Sequence, residues 1–254
     1  QVDTGGAEEH HRDLPADLAA TPVVACGLHS QVPGVAAAVR HLRPDARIVY
    51  VMTDGAALPL VLSDLVAAMA EAGLVDGTIT AGHAFGGDLQ AVTVASALTL
   101  ALGVLGADVI IVAMGPGVVG TGSALGTTAL EVADILGSAT GLGATPIICL
   151  RVSDGDSRER HRGVSHHTLT ALAHTPVAVT VAVPDVVADE ELAVPARHRI
   201  ERVRPPDVAA LLAGHGLRVT TMGRGPIEEP RFFAACAAAG AVAAAHIAAP
   251  PDRR

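Results

Sequence analysis

Hydrophobic residues in this chain fall into short unbroken runs, which are separated by segments whose apolar positions recur with helical spacing. Unbroken apolar runs are typical of strands covered on both faces of a sheet. They predict strands at residues 23–28, 47–52, 77–82, 108–114, 145–152, 177–183 and 217–222. The segments between and after them predict helices at 33–42, 58–72, 88–105, 124–141, 165–173, 207–213 and 230–247. This alternation indicates an α/β fold: a three-layer αβα, Rossmann-like domain with a mostly parallel sheet of about six to seven strands.

Two segments fall outside the repeating pattern. Residues 1–21 are polar and acidic and begin with Gln1 rather than Met, so we expect a linker remnant of a missing N-terminal region. Residues 22–254 are expected to form a single αβα domain. Within it, residues 184–206 combine prolines with an acidic run and then arginines, which predicts an irregular excursion. A solvated loop, a short hairpin and a contact in a homo-oligomer are all compatible with that composition.

Polar, glycine-marked turns follow most of the predicted strands. In an open parallel sheet, ligands bind in the crevice at the carboxyl ends of the strands. All these turns share that edge, so their unusual polar residues are expected to come together there. The sequence therefore predicts a single pocket lined by His29, Asp54, His83, Asp88, Gly117 and His166.

The segment after the fourth predicted strand is rich in glycine. Gly115, Gly117 and Gly120 have the spacing G-x-G-x-x-G, and Thr121 follows directly. A strand before it and a helix after it would suit an anion held on a helix N-terminus. The acidic residue expected about 20 positions further on in a dinucleotide site is missing. A phosphate or other anion cradle, a dinucleotide site and a tight packing turn are the three interpretations.

The densest polar cluster is Arg160-His161-Arg162 followed by Ser165-His166-His167. Ser165 is a suitable N-cap, which would place both following histidines in a first helical turn, where the helix dipole favours neutral imidazole. Neutral imidazole suits metal ligation or general-base work, and Arg160 and Arg162 could bind a carboxylate or phosphate. The alternative is an ordinary solvated basic turn.

A metal site that uses residues of the same pocket is a further interpretation. The candidate ligands are His29, His83, Asp88 and His166, although no tight spacing such as H-x-x-x-H supports them. Adjacent histidines are not expected to face one ion from a helix, so His166 and His167 should have different roles. No G-x-S-x-G elbow is present, which argues against a serine hydrolase of that type.

Composition excludes several classes of function. The chain of 254 residues has a net charge of −9, only 2% aromatic residues and no lysine. Absence of lysine excludes Schiff-base and P-loop chemistry, and the lack of a basic, aromatic surface argues against a nucleic-acid partner. Cys26, Cys149 and Cys236 are expected to be reduced core thiols of a cytoplasmic protein. The apolar run at 89–106 is near the lower length limit for a membrane span, so we interpret it as a buried crossover helix.

These observations favour an enzyme that acts on a small anionic substrate, with phosphorylated compounds among the candidates. His83, His166 and His167 would transfer protons, and Asp54 would orient a histidine or bind a metal. The ligand-binding residues would be His29, Asp88, Gly115, Gly117, Gly120, Thr121, Arg160 and Arg162. The alternatives are a non-catalytic sensor or regulatory domain, a metal-dependent hydrolase that uses the His/Asp cluster, and a structural partner for the missing region. The sequence identifies no cofactor.

Five motifs also carry a family resemblance. They are GLHSQ at 27–31, MTDGAALP at 52–59, TAGHAFGGD at 80–88, MGPGVVGTG at 114–122 and RHRGVSHHT at 160–168. In this order they resemble the bacterial domain-of-unknown-function family numbered 3866, over roughly residues 22–247. The resemblance implies a further N-terminal region of β character before Gln1. It implies no activity.

Overall fold

The computed structural model describes residue 11 and residues 13–54 and 59–248. Ten β-strands lie in this part of the chain: β1 Pro22–Cys26, β2 Ile48–Thr53, β3 Gly77–Ala81, β4 Leu89–Ala91, β5 Val109–Met114, β6 Thr145–Cys149, β7 Val152–Ser153, β8 Gly163–Val164, β9 Thr180–Pro184 and β10 Arg199–Val203. The α-helices of the same residues are α1 Val32–Leu42, α2 Asp64–Glu71, α3 Val94–Gly103, α4 Glu131–Gly141, α5 His166–His174, α6 Val208–Gly214 and α7 Pro230–His246.

Eight of the strands form one central sheet, in the order β10-β9-β6-β1-β5-β2-β3-β4. Every pair of neighbours in this sheet is parallel. β7 and β8 form a separate antiparallel pair, in which Val152 lies opposite Val164.

Side chains on the two faces of the sheet enter two separate cores. Val24 and Cys26 of β1 pack into the layer that contains α1, α2, α6 and α7. Val23 and Ala25 pack into the layer that contains α3, α4 and α5. This arrangement confirms the predicted αβα fold and its parallel sheet, with eight strands rather than six or seven.

The strand order creates a crevice at the carboxyl ends of β1 and β5. From β1 the chain crosses one face through α1 and passes over β5 to reach β2. From β5 it crosses the other face through α4 and passes over β1 to reach β6. Because the two connections leave neighbouring strands toward opposite sides, a gap opens between them, which is the usual ligand position in this class of sheet.

Two predictions differ from the structure, and both concern the outer strands of the sheet, β4 and β10. The helix expected at 88–105 begins only at Val94, because Leu89–Ala91 adds strand β4 beside β3 and Thr93 caps the helix. The strand expected at 217–222 is absent from the described residues: Leu217 and Val219 are buried without a strand partner. The outer strand is instead β10, within the excursion expected at 184–206. Its largely exposed sequence, Arg-Ile-Glu-Arg-Val, contains no apolar run.

The helix expected at 124–141 also starts late. A single 3₁₀ turn at Thr128–Leu130 precedes α4, which begins at Glu131. The glycine-rich segment therefore does not run directly into a helix N-terminus.

The remaining expectations concern burial. Cys26, Cys149 and Cys236 are buried free thiols as predicted, and Cys26 and Cys149 are register partners on β1 and β6. In the segment expected to be a linker, Leu18 is buried and its N–H donates to the carbonyl of Leu142 at 2.7 Å. None of the helices among the described residues is long and apolar enough to cross a bilayer.

Candidate functional site

A cavity of about 510 Å³ opens at the carboxyl ends of β1, β5 and β6. Its first wall is residues 28–30, which follow β1, and its second is formed by residues of the glycine-rich segment at 116–121. Its third wall comes from the chain that follows β6, between Arg151 and His167, and residues 220–222 close the remaining side. The volume lies in the range of small-molecule sites, roughly 300–1,000 Å³.

Three arginines, Arg151, Arg158 and Arg160, reach this cavity from the third wall. They are brought there by the β7–β8 hairpin, whose loop carries Arg158 and Arg160. Arg151 is buried, and its backbone is tied to the start of α5: its N–H donates to Thr168 Oγ1 at 3.1 Å and its carbonyl accepts from Ser165 at 2.8 Å.

One buried carboxylate, Asp156, serves two of these arginines. Arg158 binds it through Nε at 3.0 Å and through a terminal nitrogen at 2.9 Å, and Arg151 approaches to 3.3 Å. Hydrogen bonds from Arg158 hold the pKa of the Asp156 carboxyl well below its usual range. Arg160 is exposed and forms no hydrogen bond or ion pair with any described residue. The third wall therefore carries three guanidinium groups against one carboxylate.

The wall at residues 220–222 is held by a second buried carboxylate. Glu229 is fully buried and accepts a hydrogen bond from Ser153 Oγ at 2.7 Å. The same carboxylate forms an ion pair with Arg224 at 2.6 Å, so its charge is compensated away from the cavity. This contact fixes the chain after α6 against β7.

Three imidazoles, those of His161, His166 and His167, pack against one another beside the arginines, and we call them the histidine cluster. Their ring centroids are 4.3 to 4.8 Å apart. One potential ligand atom from each ring lies within 4.8 Å of the others. Three ring nitrogens are buried without a hydrogen-bond partner: His161 Nε2, His166 Nε2 and His167 Nδ1. His161 and His167 also line the cavity.

The histidine cluster is neutral near pH 7. Burial, followed by the charges of Arg151 and Arg158, lowers the pKa of His161 to about 3. Burial and the neighbouring His166 lower the pKa of His167 to about 4. The pKa of His166 is lowered by burial and by Arg160. Each unpartnered nitrogen is therefore available either as a lone pair or as an N–H donor, depending on the tautomer.

His29 lines the cavity, but both of its ring nitrogens are already bound. Nδ1 lies 3.0 Å from Tyr50 Oη, and Nε2 lies 3.0 Å from Ser63 Oγ. Tyr50 donates onward to the Ala113 carbonyl at 3.4 Å, and Ser63 accepts from Val66 N–H as the cap of α2. This chain of bonds is satisfied by neutral His29 with its proton on Nδ1. His29 therefore holds the loop after β1 in place, which leaves it poorly suited to ligate a metal.

Asp54 and His83 do not line the cavity, although both follow strands at the correct edge. Because β5 and β2 separate β1 from β3, the carboxyl ends of β6 and β3 are four strand spacings apart, about 19 Å. His83 is exposed in the turn after β3. Asp54 lies beside that turn, with its Cβ 4.0 Å from the position that a Cβ on Gly82 would occupy.

Asp88 lies at the opposite edge of the sheet, so its predicted place in the pocket is wrong. Its carboxylate accepts from both the N–H and the hydroxyl of Thr78 at 2.8 Å, near the amino end of β3. The reason is the unpredicted strand β4: Leu89 pairs with Ile79, which brings the residue before it alongside the start of β3. Asp88 thus joins two strands and is removed from the candidate metal ligands by its position.

The glycine-rich segment folds back on itself at the second wall. Thr121 N–H donates to the Gly126 carbonyl at 2.6 Å, and Val119 N–H donates to Thr128 Oγ1 at 3.1 Å. Gly117, at φ +106°, lines the cavity together with Gly120 and Thr121, whereas Gly115 and Arg162 do not. Arg162 instead donates to the Asp156 carbonyl at 3.0 Å.

Sequence reasoning missed two residues that the structure places at the centre of the site, Arg151 and His161. Arg151 falls within the strand predicted at 145–152, but β6 ends at Cys149 and the arginine lies just beyond it. His161 belongs to the predicted polar cluster, and the arginines on either side of it in the sequence could have marked it as a site residue. We expected the adjacent His166 and His167 to have different roles, but their rings pack against each other. The unpartnered nitrogen is Nε2 in His166 and Nδ1, the ring nitrogen nearer the backbone, in His167.

Comparisons with known proteins identify a family without assigning a function. A family model described as "Protein of unknown function (DUF3866)" matches residues 2–240, and therefore includes the acidic segment that precedes the resemblance expected at 22–247. No curated protein and no solved structure shows a match to the chain. The family match covers most of the chain and agrees with the order of the five motifs. The chain therefore belongs to the DUF3866 family of proteins of unknown function.

Proposed function

We propose that the cavity binds a small anion of the carboxylate or phosphate class, and that the protein is an enzyme acting on it. One observation carries the first half: Arg151, Arg158 and Arg160 line the cavity, while the single carboxylate among them is already shared by Arg151 and Arg158. Guanidinium groups match the geometry of carboxylate and phosphate oxygens. An anion would balance the excess positive charge.

The second wall adds backbone donors to this arrangement. The N–H groups of Gly117 and Val118 make no hydrogen bond to another described residue, and both residues line the cavity. They lie across the cavity from the hairpin that carries Arg160. The glycine-rich segment would contribute these N–H groups from a loop rather than from a helix N-terminus.

The neutral imidazoles favour an enzyme over a sensor. His161 and His167 line the same cavity as the arginines, and neutral imidazole can accept a proton from a bound substrate or water. A sensor would need only the anion-binding groups. His83 and Asp54, expected to share the proton transfer, lie away from the cavity, so we assign that step, in the metal-free protein, to His161 and His167.

Binding of inorganic phosphate, measured by isothermal titration calorimetry, tests the anion site. Arg160→Ala should weaken binding by about 10- to 100-fold, since a hydrogen bond to a charged group contributes roughly 1.5–3 kcal/mol. Arg199→Ala removes the same charge from the exposed edge strand β10 and is the matched control. Equal affinity in the wild type and Arg160→Ala, or absence of phosphate binding, would contradict the proposal.

Turnover separates the enzyme from the sensor. A panel of phosphate esters and carboxylate esters is screened with wild-type protein, and each active compound is tested with His167→Gln. When the proteins are assayed without added metal, we expect His167→Gln to lose most of the turnover while it keeps its affinity for phosphate. Phosphate binding without turnover of any compound in the panel would favour the regulatory alternative.

A further inference from the structure

We propose that the histidine cluster is a binding site for one Zn²⁺ ion, whose open coordination position faces the anion cavity. The histidine cluster contains buried ring nitrogens that have no hydrogen-bond partner among the described residues. His161 is fully buried, yet its Nε2 has no hydrogen-bond partner. The same is true of one buried nitrogen on each of His166 and His167. Three unpaired buried nitrogens in one place are costly unless they share a ligand.

The distances suit an ion after a small adjustment. Tetrahedral zinc with Zn–N bonds of about 2.1 Å places its nitrogen ligands about 3.4 Å from one another. One ring nitrogen from each of the three histidines lies within 4.8 Å of the others. Shifts of about an ångström or less in the half-buried rings of His166 and His167 would bring the nitrogens to this spacing. Three imidazoles and a fourth open position are the ligand set of a catalytic rather than a structural zinc site.

Neighbouring contacts already orient one of the rings. Ser165 Oγ lies 2.8 Å from His161 Nδ1, and in the tautomer with a proton on Nδ1 this bond leaves a lone pair on Nε2. Ser165 is itself fully buried and also caps α5, the helix that carries the other two histidines. A single residue therefore couples the position of the hairpin loop to that of the helix.

The surrounding charge decides what else must bind. Arg151, Arg158 and Arg160 line the same cavity as His161 and His167, so the histidine cluster lies in a positive field. That field opposes a bare dication, and an anion in the cavity would cancel it. We therefore expect the metal and the anion to bind cooperatively, and this linkage rests on the proposed function above. By thermodynamic reciprocity each should raise the affinity for the other by the same factor.

The test uses the full chain after treatment with a chelator. Zn²⁺ is titrated against a chromophoric competitor, with and without sulfate, a tetrahedral dianion that does not precipitate zinc. We expect one Zn²⁺ per chain, a loss of affinity of at least about 100-fold in His166→Gln and in His167→Gln, and little change in His174→Gln. His174 is exposed at the other end of the same helix, α5, which makes it the matched control.

Two further readouts distinguish a true site from a damaged fold and from failure of the anion proposal. Co²⁺ in place of Zn²⁺ should give the intense visible absorption of a tetrahedral site in the wild type and in His174→Gln, and lose it in His167→Gln, while thermal unfolding of the metal-free variants stays unchanged. Wild-type protein that binds no stoichiometric Zn²⁺, or a histidine variant that binds it as tightly, would overturn the metal site. Zn²⁺ binding that sulfate does not strengthen would overturn only the linkage to the anion.

Discussion

At the scale of single residues, burial next to positive charge sets the chemistry of the cavity. The imidazoles of His161 and His167 are neutral for two reasons. Burial disfavours the charged ring, and so do the positive charges of Arg151 and Arg158. His29 is neutral because of burial alone, which lowers its pKa to about 4. Residues of the same type thus differ in role: His29 positions a loop, and the histidine cluster presents free nitrogens.

His29 should make stability depend on pH. Its pKa in the folded protein is lowered to about 4 from an ordinary value of 6.5. The unfolded chain therefore binds the extra proton between these values, and stability is full above pH 6.5 and falls as the pH drops toward 4. We expect the unfolding free energy of the wild type to lose up to about 3 kcal/mol across this window relative to His29→Gln. His41→Gln, on the exposed face of α1, should follow the wild type, and parallel curves for wild type and His29→Gln would contradict the prediction.

Asp156 should be more important for stability than an exposed acid that also pairs with arginine. Asp156→Asn leaves Arg151, which is buried, without its counter-charge. We expect a loss of about 3 kcal/mol in the free energy of unfolding by urea. Asp185→Asn breaks the exposed pair with Arg204 and should cost less than about 1 kcal/mol. Equal effects of the two substitutions would show that the buried network is not under electrostatic control.

At the scale of elements, helix α7 packs closely against α1 through small residues. A Cβ added at Gly240 would come within 2.4 Å of the Val35 carbonyl oxygen and 2.8 Å of the Ala38 Cβ. On α1, a Cβ at Gly34 would lie 2.7 Å from the Cβ of Cys236. The alanine-rich sequence of α7 therefore reflects a close helix–helix contact as well as helix propensity.

Two glycine-to-alanine substitutions should have opposite effects. Gly240→Ala must push α7 away from α1, and we expect it to destabilise the protein by about 1–3 kcal/mol despite its better helix propensity. Gly137→Ala on α4 meets nothing within 4 Å and should stabilise it by up to about 1 kcal/mol. Urea unfolding of both variants measures the difference, and a stabilising Gly240→Ala would refute the close packing.

At the scale of the whole molecule, the cavity exists because three connections and a C-terminal segment meet at one edge of the sheet. Its walls follow β1, β5 and β6, which lie side by side in the sheet as β6-β1-β5, although β2, β3 and β4 separate β1 from the other two in sequence. A ligand held between them should therefore stabilise the entire domain, since unfolding any wall releases it.

Phosphate should raise the melting temperature accordingly. At a phosphate concentration 100 times the dissociation constant, the native state gains about 2.7 kcal/mol. For a domain of this size the gain corresponds to a rise of roughly 5–10 °C. Scanning calorimetry in phosphate against chloride of equal ionic strength measures it. Arg160→Ala should show a smaller rise at the same phosphate concentration, and a rise that is equal in both proteins would point to a general salt effect.

The sequence alone determined the local and repetitive features of this protein. Continuous apolar runs indicated parallel strands buried on both faces, and Ser165 was correctly interpreted as the cap of the helix that carries His166 and His167. These features depend on neighbours along the chain, which a single sequence displays. Strand β10 could not be predicted from apolar runs, because an edge strand needs none. Strand β4 could not be predicted because three residues are too few to show an alternation of apolar and polar positions.

Only the tertiary structure decided which turns share a site. Along the chain, the turns that hold His29, His83 and Gly117 look equivalent, since each follows a strand. The insertion of β5 between β1 and β2 places Gly117 near His29 and leaves His83 at a distance. Pairing of β4 with β3 carries Asp88 to the far edge, and the β7–β8 hairpin folds His161 onto His166 and His167. Strand order and hairpin pairing are set by contacts between segments distant in sequence, and no local pattern records them.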